Sequence, residues 1–333
     1  MNMRNKSRQR AIVLSVFIFV AAAVMMFVFG LIEHTFDKTG NVPAEDPSAA
    51  AGLSEGTLFY NNSWYVPREQ LETLLILGID KRLEGPEAEN RSDSEQVDFL
   101  ALLVLDEETE SFRILHLNRD TIADIPMSDA AGIVTGTFRG QLALAHAYGS
   151  HDGSRCRNTV RAVEELLYGS EIDHYLSLTM DAVAVLNDSI GGVVVTLPTD
   201  MDDLGKRGDV VELTGEQALY YVRERSGLED SSNLMRMERQ QQYIGSLLDA
   251  FSETTENNKE NTLETLIRIN EFVVSDCTAE QLSALVEKLG GYKFDGILTL
   301  SGKAVEGKEF MEFYIDETAA RKTVVDLFYY LCE

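Results

Sequence analysis

Two aspartates and five arginines stand where phosphate chemistry would need them. Asp80 lies just beyond the apolar run Leu74–Leu77, and Asp98 immediately precedes a second run, Phe99–Leu105. A hard cation such as Mg²⁺ takes one or two carboxylates and fills its shell with water and phosphate oxygens, so this pair suffices for a metal. Each aspartate also fits a plain turn position at the end of a strand. Arg119 follows a third apolar run in Asn118-Arg119-Asp120, and Arg223 and Arg225 alternate in Tyr221-Val222-Arg223-Glu224-Arg225. Arg236, Arg239 and Gln240 share one face of a helix. Guanidinium forks grip phosphate oxygens bidentately, so this set suits a pyrophosphate and its metal; solvated arginines paired with abundant acid are the competing reading.

Other chemistries find less support. His116 sits inside an apolar run and reads as a core residue, whereas His146, in Ala145-His146-Ala147-Tyr148-Gly149, ends a helix near where substrate would pass. No nucleophile–histidine spacing stands out. Cys156, Cys277 and Cys332 make no metal-ligand spacing, so the sequence implies no zinc, and Cys277 with Cys332 is the one disulfide to consider. A formal charge of −26 makes nucleic acid an unlikely partner.

The elements that must position these residues alternate in type. Leu74–Leu77, Phe99–Leu105 and Phe112–Leu117 read as three strands that start a sheet, the last two joined by the polar connection at 106–110. Val160, Val163, Leu166 and Leu167 mark a helix, as does 182–190, with Tyr175–Leu178 extended between them. Val193–Leu197 is β-branched and strand-like. Thr214-Gly215-Glu216-Gln217 fits a capping box, and its helix is expected to end near Tyr221, letting an extended chain point Arg223 and Arg225 the same way. Helices are expected over 233–251, around Leu263–Ile267, over Leu282–Leu289 and over 319–331, with strands at 294–300 and 310–315. The pattern predicts an α/β fold, its sheet sandwiched between helices on both faces.

At the N-terminus, Ala11–Leu31 is apolar but for Ser15 and Gly30, long enough to span roughly 31 Å, about one hydrocarbon core. Arg4, Lys6, Arg8 and Arg10 precede it, which places residues 1–10 in the cytoplasm, 11–31 in the cell membrane as a signal anchor, and the body outside. Residues 32–68 read as an extracellular tether, 69–253 as a catalytic domain, and 254–333 as a segment packed on it.

Together these pieces resemble the LytR-CpsA-Psr family of cell-wall glycopolymer ligases of Gram-positive bacteria. The resemblance runs from about Glu72 to Leu248. It is carried by LLILGID with Arg82, NRDT at 118–121, LAHAYG at 144–149, NDSIGGVVV from Asn187, LTGEQALYYVRER from Leu213 and RMERQQ from Arg236. It implies a mixed sheet between helices, with a hydrophobic slot for a polyprenyl chain. The implied activity is a phosphotransferase that moves a teichoic-acid or capsule-type glycopolymer from a polyprenyl-pyrophosphate carrier to peptidoglycan. By the same resemblance Asp80 and Asp98 would hold Mg²⁺, Arg119, Arg223, Arg225 and Arg236 or Arg239 would grip the pyrophosphate, and Arg82 and Gln240 would support them. The family pattern Arg-Ser-Asp-Thr before the second strand is here Gln96-Val97-Asp98-Phe99, while a literal Arg91-Ser92-Asp93-Ser94 lies five residues earlier. Asn118 replaces the family's proline. An alternative reading is therefore a non-catalytic envelope protein that binds lipid-linked sugars or wall polymer; a third is hydrolysis of the pyrophosphate by water.

Overall fold

Leu, Ile and Val dominate the central strands because both faces of the sheet are covered. In the computed structural model, the described residues are 57–79, 96–129, 131–149, 151–224, 233–255 and 272–332. β1 (Leu58–Tyr60) and β2 (Ser63–Pro67) form a hairpin. β4 (Val97–Asp106) then runs antiparallel to both of its neighbours, β3 (Leu71–Ile79) and β5 (Ser111–Leu117). β8 (His174–Thr179), β11 (Val273–Ser275) and β12 (Lys293–Thr299) complete a six-stranded sheet in the order β11-β8-β3-β4-β5-β12. Its β3/β8 and β5/β12 pairs are parallel, so the sheet is mixed.

Alternation along the strands divides the core in two. Leu75, Leu77, Leu100, Leu102, Leu115 and Leu117 face α1 (Asp152–Leu166) and α6 (Glu317–Phe328). Leu74, Ala101, Leu103, Phe112 and Ile114 face α5 (Ala279–Gly291) through Leu282, Leu285 and Leu289. A further cluster joins α2 (Asp181–Ser189), α3 (Gly215–Arg223) and α4 (Leu234–Thr255) to β9 (Val193–Thr196), with Tyr221, Tyr243 and Leu247 at its centre.

Several expectations hold: the first three strands are neighbours in the sheet, and Thr214 and Gln217 do make the capping box of α3. Others are corrected. The α3 helix continues to Arg223, because Val222 is buried in the cluster beneath it, and the chain turns extended only at Glu224. β9 pairs with β10 (Val210–Leu213) in a separate ribbon, away from the main sheet. The strand expected at 310–315 is β14 (Met311–Ile315), but its partner β13 (Gly302–Glu306) and the hairpin of β6 (Ile122–Ser128) with β7 (Val134–Gln141) escaped the hydrophobic pattern; all of β13 and much of β7 are exposed. The final helix stops at Phe328, and β15 (Tyr329–Leu331) pairs with β2, so residues 58–67, read as part of the tether, belong to a three-stranded sheet. No helix among the described residues is long and apolar enough to cross a membrane; Ala11–Leu31 and the expected helix at Leu263–Ile267 lie outside them.

Candidate functional site

Asp98 owes its position to a break in strand pairing. Gly78 pairs with Phe99 and Ile79 with Val97, which leaves Asp98 as the extra residue of a β-bulge, a device that re-aims a side chain beside functional sites. Glycine at 78 allows the approach, since a Cβ there would lie 2.9 Å from that of Phe99. At the end of β5, Asn118 organises the turn: its Oδ1 accepts from Asp120 N at 3.0 Å and from Asn233 Nδ2 at 3.1 Å, which ties the turn to the start of α4. Arg119 projects from this turn into an ion pair with Asp98, and its Nη2 donates to Gln96 Oε1 at 2.5 Å.

Arg236, on the first turn of α4, approaches from the other side. Its Nη1 lies 3.3 Å from Asp98 Oδ1, and its Nη2 donates to the Asp98 carbonyl at 3.4 Å. Four charged groups are thus buried together: Asp98 is 6% exposed, Arg119 5%, Arg236 1%, and Asp120, whose Oδ1 lies 3.6 Å from Arg119 Nε, 6%. Such a group is stable only while its charges are matched, which primes two guanidiniums for an incoming anion that could share them with the carboxylate.

The other predicted residues take different places. Arg239 is buried one turn further along α4, where its guanidinium donates to the Glu224 carbonyl and lies 5.9 Å from the Tyr221 ring; burial lowers its pKa and pushes the Tyr221 hydroxyl up to about 12. Gln240 donates to the Val222 carbonyl at 3.3 Å. Both therefore hold the end of α3, and with it Arg223 on its last turn, against α4. Asp80, Arg82 and Arg225 lie outside the described residues.

Next to the cluster runs an apolar slot of about 180 Å³ between the sheet and α4. Gly78, Phe99 and Ala101 floor it, Tyr243, Ile244 and Leu247 roof it, and Gln240 and Gln241, one turn from Arg236, bring its few polar atoms. His116 is buried as expected, yet its ring forms part of the slot wall. Burial and the charge of Arg236 push its pKa down to about 3, and Gln241 Nε2 stands 3.1 Å from its Nδ1, so it is a neutral imidazole. His146 is buried behind Cys156, Nε2 to Sγ 3.9 Å, and does not line the slot. The slot was missed as a set of positions because its residues come from eight separate elements, although each strand's alternation already marked the face. The Cys277–Cys332 disulfide is not formed: Cys332 follows β15, with its N–H on the Trp64 carbonyl, and Cys277 lies between β11 and α5.

Comparison with known proteins gives the same picture. The LytR_cpsA_psr family model matches residues 34–325. The chain is 28% identical over 270 residues to the polyisoprenyl-teichoic acid–peptidoglycan teichoic acid transferase TagV of Bacillus subtilis, a match covering 75% of this chain and 63% of TagV. It is 29% identical over 225 residues to the corresponding transferase TagU of Halalkalibacterium halodurans, covering 66% of this chain and 65% of TagU. In both cases the chain spans less than two thirds of its relative. Among solved structures, protein gbs0355 of Streptococcus agalactiae superposes with a TM-score of 0.61 at 17% identity, covering 78% of this chain and 86% of that one. TagT bound to LI-WTA superposes with a TM-score of 0.56 at 21% identity, covering 78% and 90%. Likenesses at this identity establish the fold.

Proposed function

The chain belongs to the LytR-CpsA-Psr family, and from that premise we propose that it transfers a glycopolymer from a polyprenyl-pyrophosphate carrier to peptidoglycan. The observation that carries this reading is the apolar slot, lined by Phe99, His116 and Gln240, beside the buried Arg119–Asp98–Arg236 cluster. One ligand with a hydrocarbon tail and a pyrophosphate head satisfies both halves. A dry cavity of about 150 Å³ accepts a benzene, so about 180 Å³ suits a short segment of a linear hydrocarbon chain. A structural relative was solved with octaprenyl pyrophosphate bound, and teichoic acid is the polymer named for TagV and TagU.

In this reading the acceptor hydroxyl attacks the phosphorus that carries the glycopolymer, and the bond to the prenyl phosphate breaks. Such a transfer needs positioning and charge neutralisation more than covalent help from the protein. Arg119 and Arg236 would take the non-bridging oxygens as charge develops, while Arg239 and Gln240 keep α3 and Arg223 in place. The oxygen donors of Asp98 suit a hard cation: with Asp80 it would hold Mg²⁺, which neutralises phosphate charge when bound. His116, neutral down to about pH 3, would line the slot without adding charge to it. We further place the body outside the cell, anchored through Ala11–Leu31 beside its lipid substrate.

The test is transfer of labelled polymer from a polyprenyl-pyrophosphate donor to peptidoglycan by the purified protein. Loss of transfer is expected in Arg236→Met; wild-type protein that binds no lipid pyrophosphate would sink the proposal. Gln96 supports a second reading, since it meets Arg119 where the family pattern has an arginine. Binding without turnover, unchanged in Gln96→Arg, would favour a non-catalytic binding role, and release of free phosphorylated polymer without acceptor would favour hydrolysis.

A further inference from the structure

Three side chains of metal-ligand type meet at the end of the sheet remote from the arginine cluster. His174 opens β8, and Asp276 and Cys277 follow β11. One ligand atom from each lies within 4.8 Å of the other two, and among the described residues no other trio of His, Cys, Asp or Glu is so grouped. β8 runs parallel to β3 with His174 opposite Leu74 and Thr179 opposite Ile79, which puts the trio about 17 Å from the Asp98 end of the sheet.

The geometry fits zinc. Two ligands with arms of about 2.0 Å at tetrahedral angles stand about 3.3 Å apart, and a nitrogen or oxygen stands about 3.5 Å from a thiolate sulfur. His174 Nδ1 and Asp276 Oδ1 are already 3.6 Å apart. Cys277 Sγ lies within 4.8 Å of both of them. The positions are held from the backbone up: Tyr175 N donates to Asp276 Oδ1 at 2.9 Å, Ser275 Oγ to the Tyr175 carbonyl at 2.7 Å, and Cys277 N to Ser275 Oγ at 3.1 Å. An imidazole, a carboxylate and a thiolate together select a borderline-soft ion over Mg²⁺ or Ca²⁺, and three protein ligands leave a fourth position to water.

We propose that His174, Asp276 and Cys277 bind one Zn²⁺ ion, which clamps the turn between β11 and α5 onto the start of β8. Gln281 serves as the outer partner. Its Oε1 accepts from Thr278 N at 2.8 Å, so its Nε2, 3.0 Å from His174 Nε2, donates there and the ring keeps its proton on Nδ1, facing Asp276. On binding, Cys277 releases its proton to solvent, the ring proton moves to Nε2, and the Gln281 amide turns to accept it. One proton leaves per ion. The motif was invisible in the sequence because His174 lies some hundred residues from its partners.

The experiment is calorimetric titration of the chelator-treated full chain with ZnCl₂ in buffers of different ionisation enthalpy, together with Co²⁺ absorption and thermal melts. One ion and one released proton per chain are expected, with a thiolate-to-cobalt charge-transfer band and a raised Tm. Cys277→Ser should abolish the band, and His174→Ala with Cys277→Ser should abolish binding. Gln281→Glu retains the helix cap and orients the imidazole with a carboxylate, so it should tighten binding about tenfold. Absence of stoichiometric zinc in the wild type, or zinc binding that survives in the double variant, overturns the proposal.

Discussion

Replacing Asp98 by asparagine separates charge from shape at the centre of the site. The wild-type carboxylate lies between two guanidiniums at 1% and 5% exposure, and removing one charge from a buried pair costs about 3–5 kcal/mol. Asparagine keeps an oxygen for Arg236, the residue 98 carbonyl still receives Arg236 Nη2, and Arg119 retains Gln96, so the loss falls at the lower end, about 3 kcal/mol. With a urea slope of about 2–3 kcal/mol per molar, the midpoint should fall by about 1 M. Far-UV circular dichroism of metal-free protein measures this directly. Inorganic pyrophosphate should then stabilise the variant more than the wild type, because the substitution removes the carboxylate that both guanidiniums share. A loss below about 1 kcal/mol, or equal stabilisation of both proteins by pyrophosphate, would refute the view that Asp98 balances the arginines.

His116 gives a pH signature. Its folded pKa is depressed to about 3 against an unfolded 6.5, so the unfolded chain alone takes up the proton between these values and stability falls as pH drops through that window. The slope reaches at most about 1.4 kcal/mol per pH unit, vanishes above 6.5, and should be absent in His116→Gln when urea midpoints at pH 7 and 5.5 are compared. Ala101→Leu, which fills the slot floor, should weaken polyprenyl-pyrophosphate binding more than tenfold while leaving inorganic pyrophosphate binding intact, as read by calorimetry. Asn158 is fully buried and its Nδ2 donates to the Pro126 and Ala145 carbonyls at 2.8 and 2.6 Å, so Asn158→Ala should destabilise by about 2–3 kcal/mol in urea unfolding.

The strands of the core were readable because β4 and β5 bury nearly every residue and β3 leaves none exposed, and an apolar run of that length bounded by turn residues has few other uses. Arg119 and Arg236 were legible as phosphate-type residues from their neighbours, but their meeting at Asp98 depends on a bulge that leaves no mark in composition. Arg239, on the same helical face as Arg236, turns out to hold the Glu224 carbonyl; spacing gives a face, and one helical turn decides which element it meets. The exposed strands β7 and β13 were hidden for the opposite reason, since strands with little to bury carry little hydrophobic signal.

The pairing of β15 with β2 sets a condition on the order of events during synthesis. Tyr329–Leu331 form the last strand of the described residues, and they close a sheet whose other strands are the first of them. Likewise β5 waits for β12, some 180 residues later, before its outer edge is covered. A nascent chain therefore cannot reach this topology until β12 and β15 have been made, and its half-built sheets must stay exposed, or be guarded by a chaperone, for that whole interval.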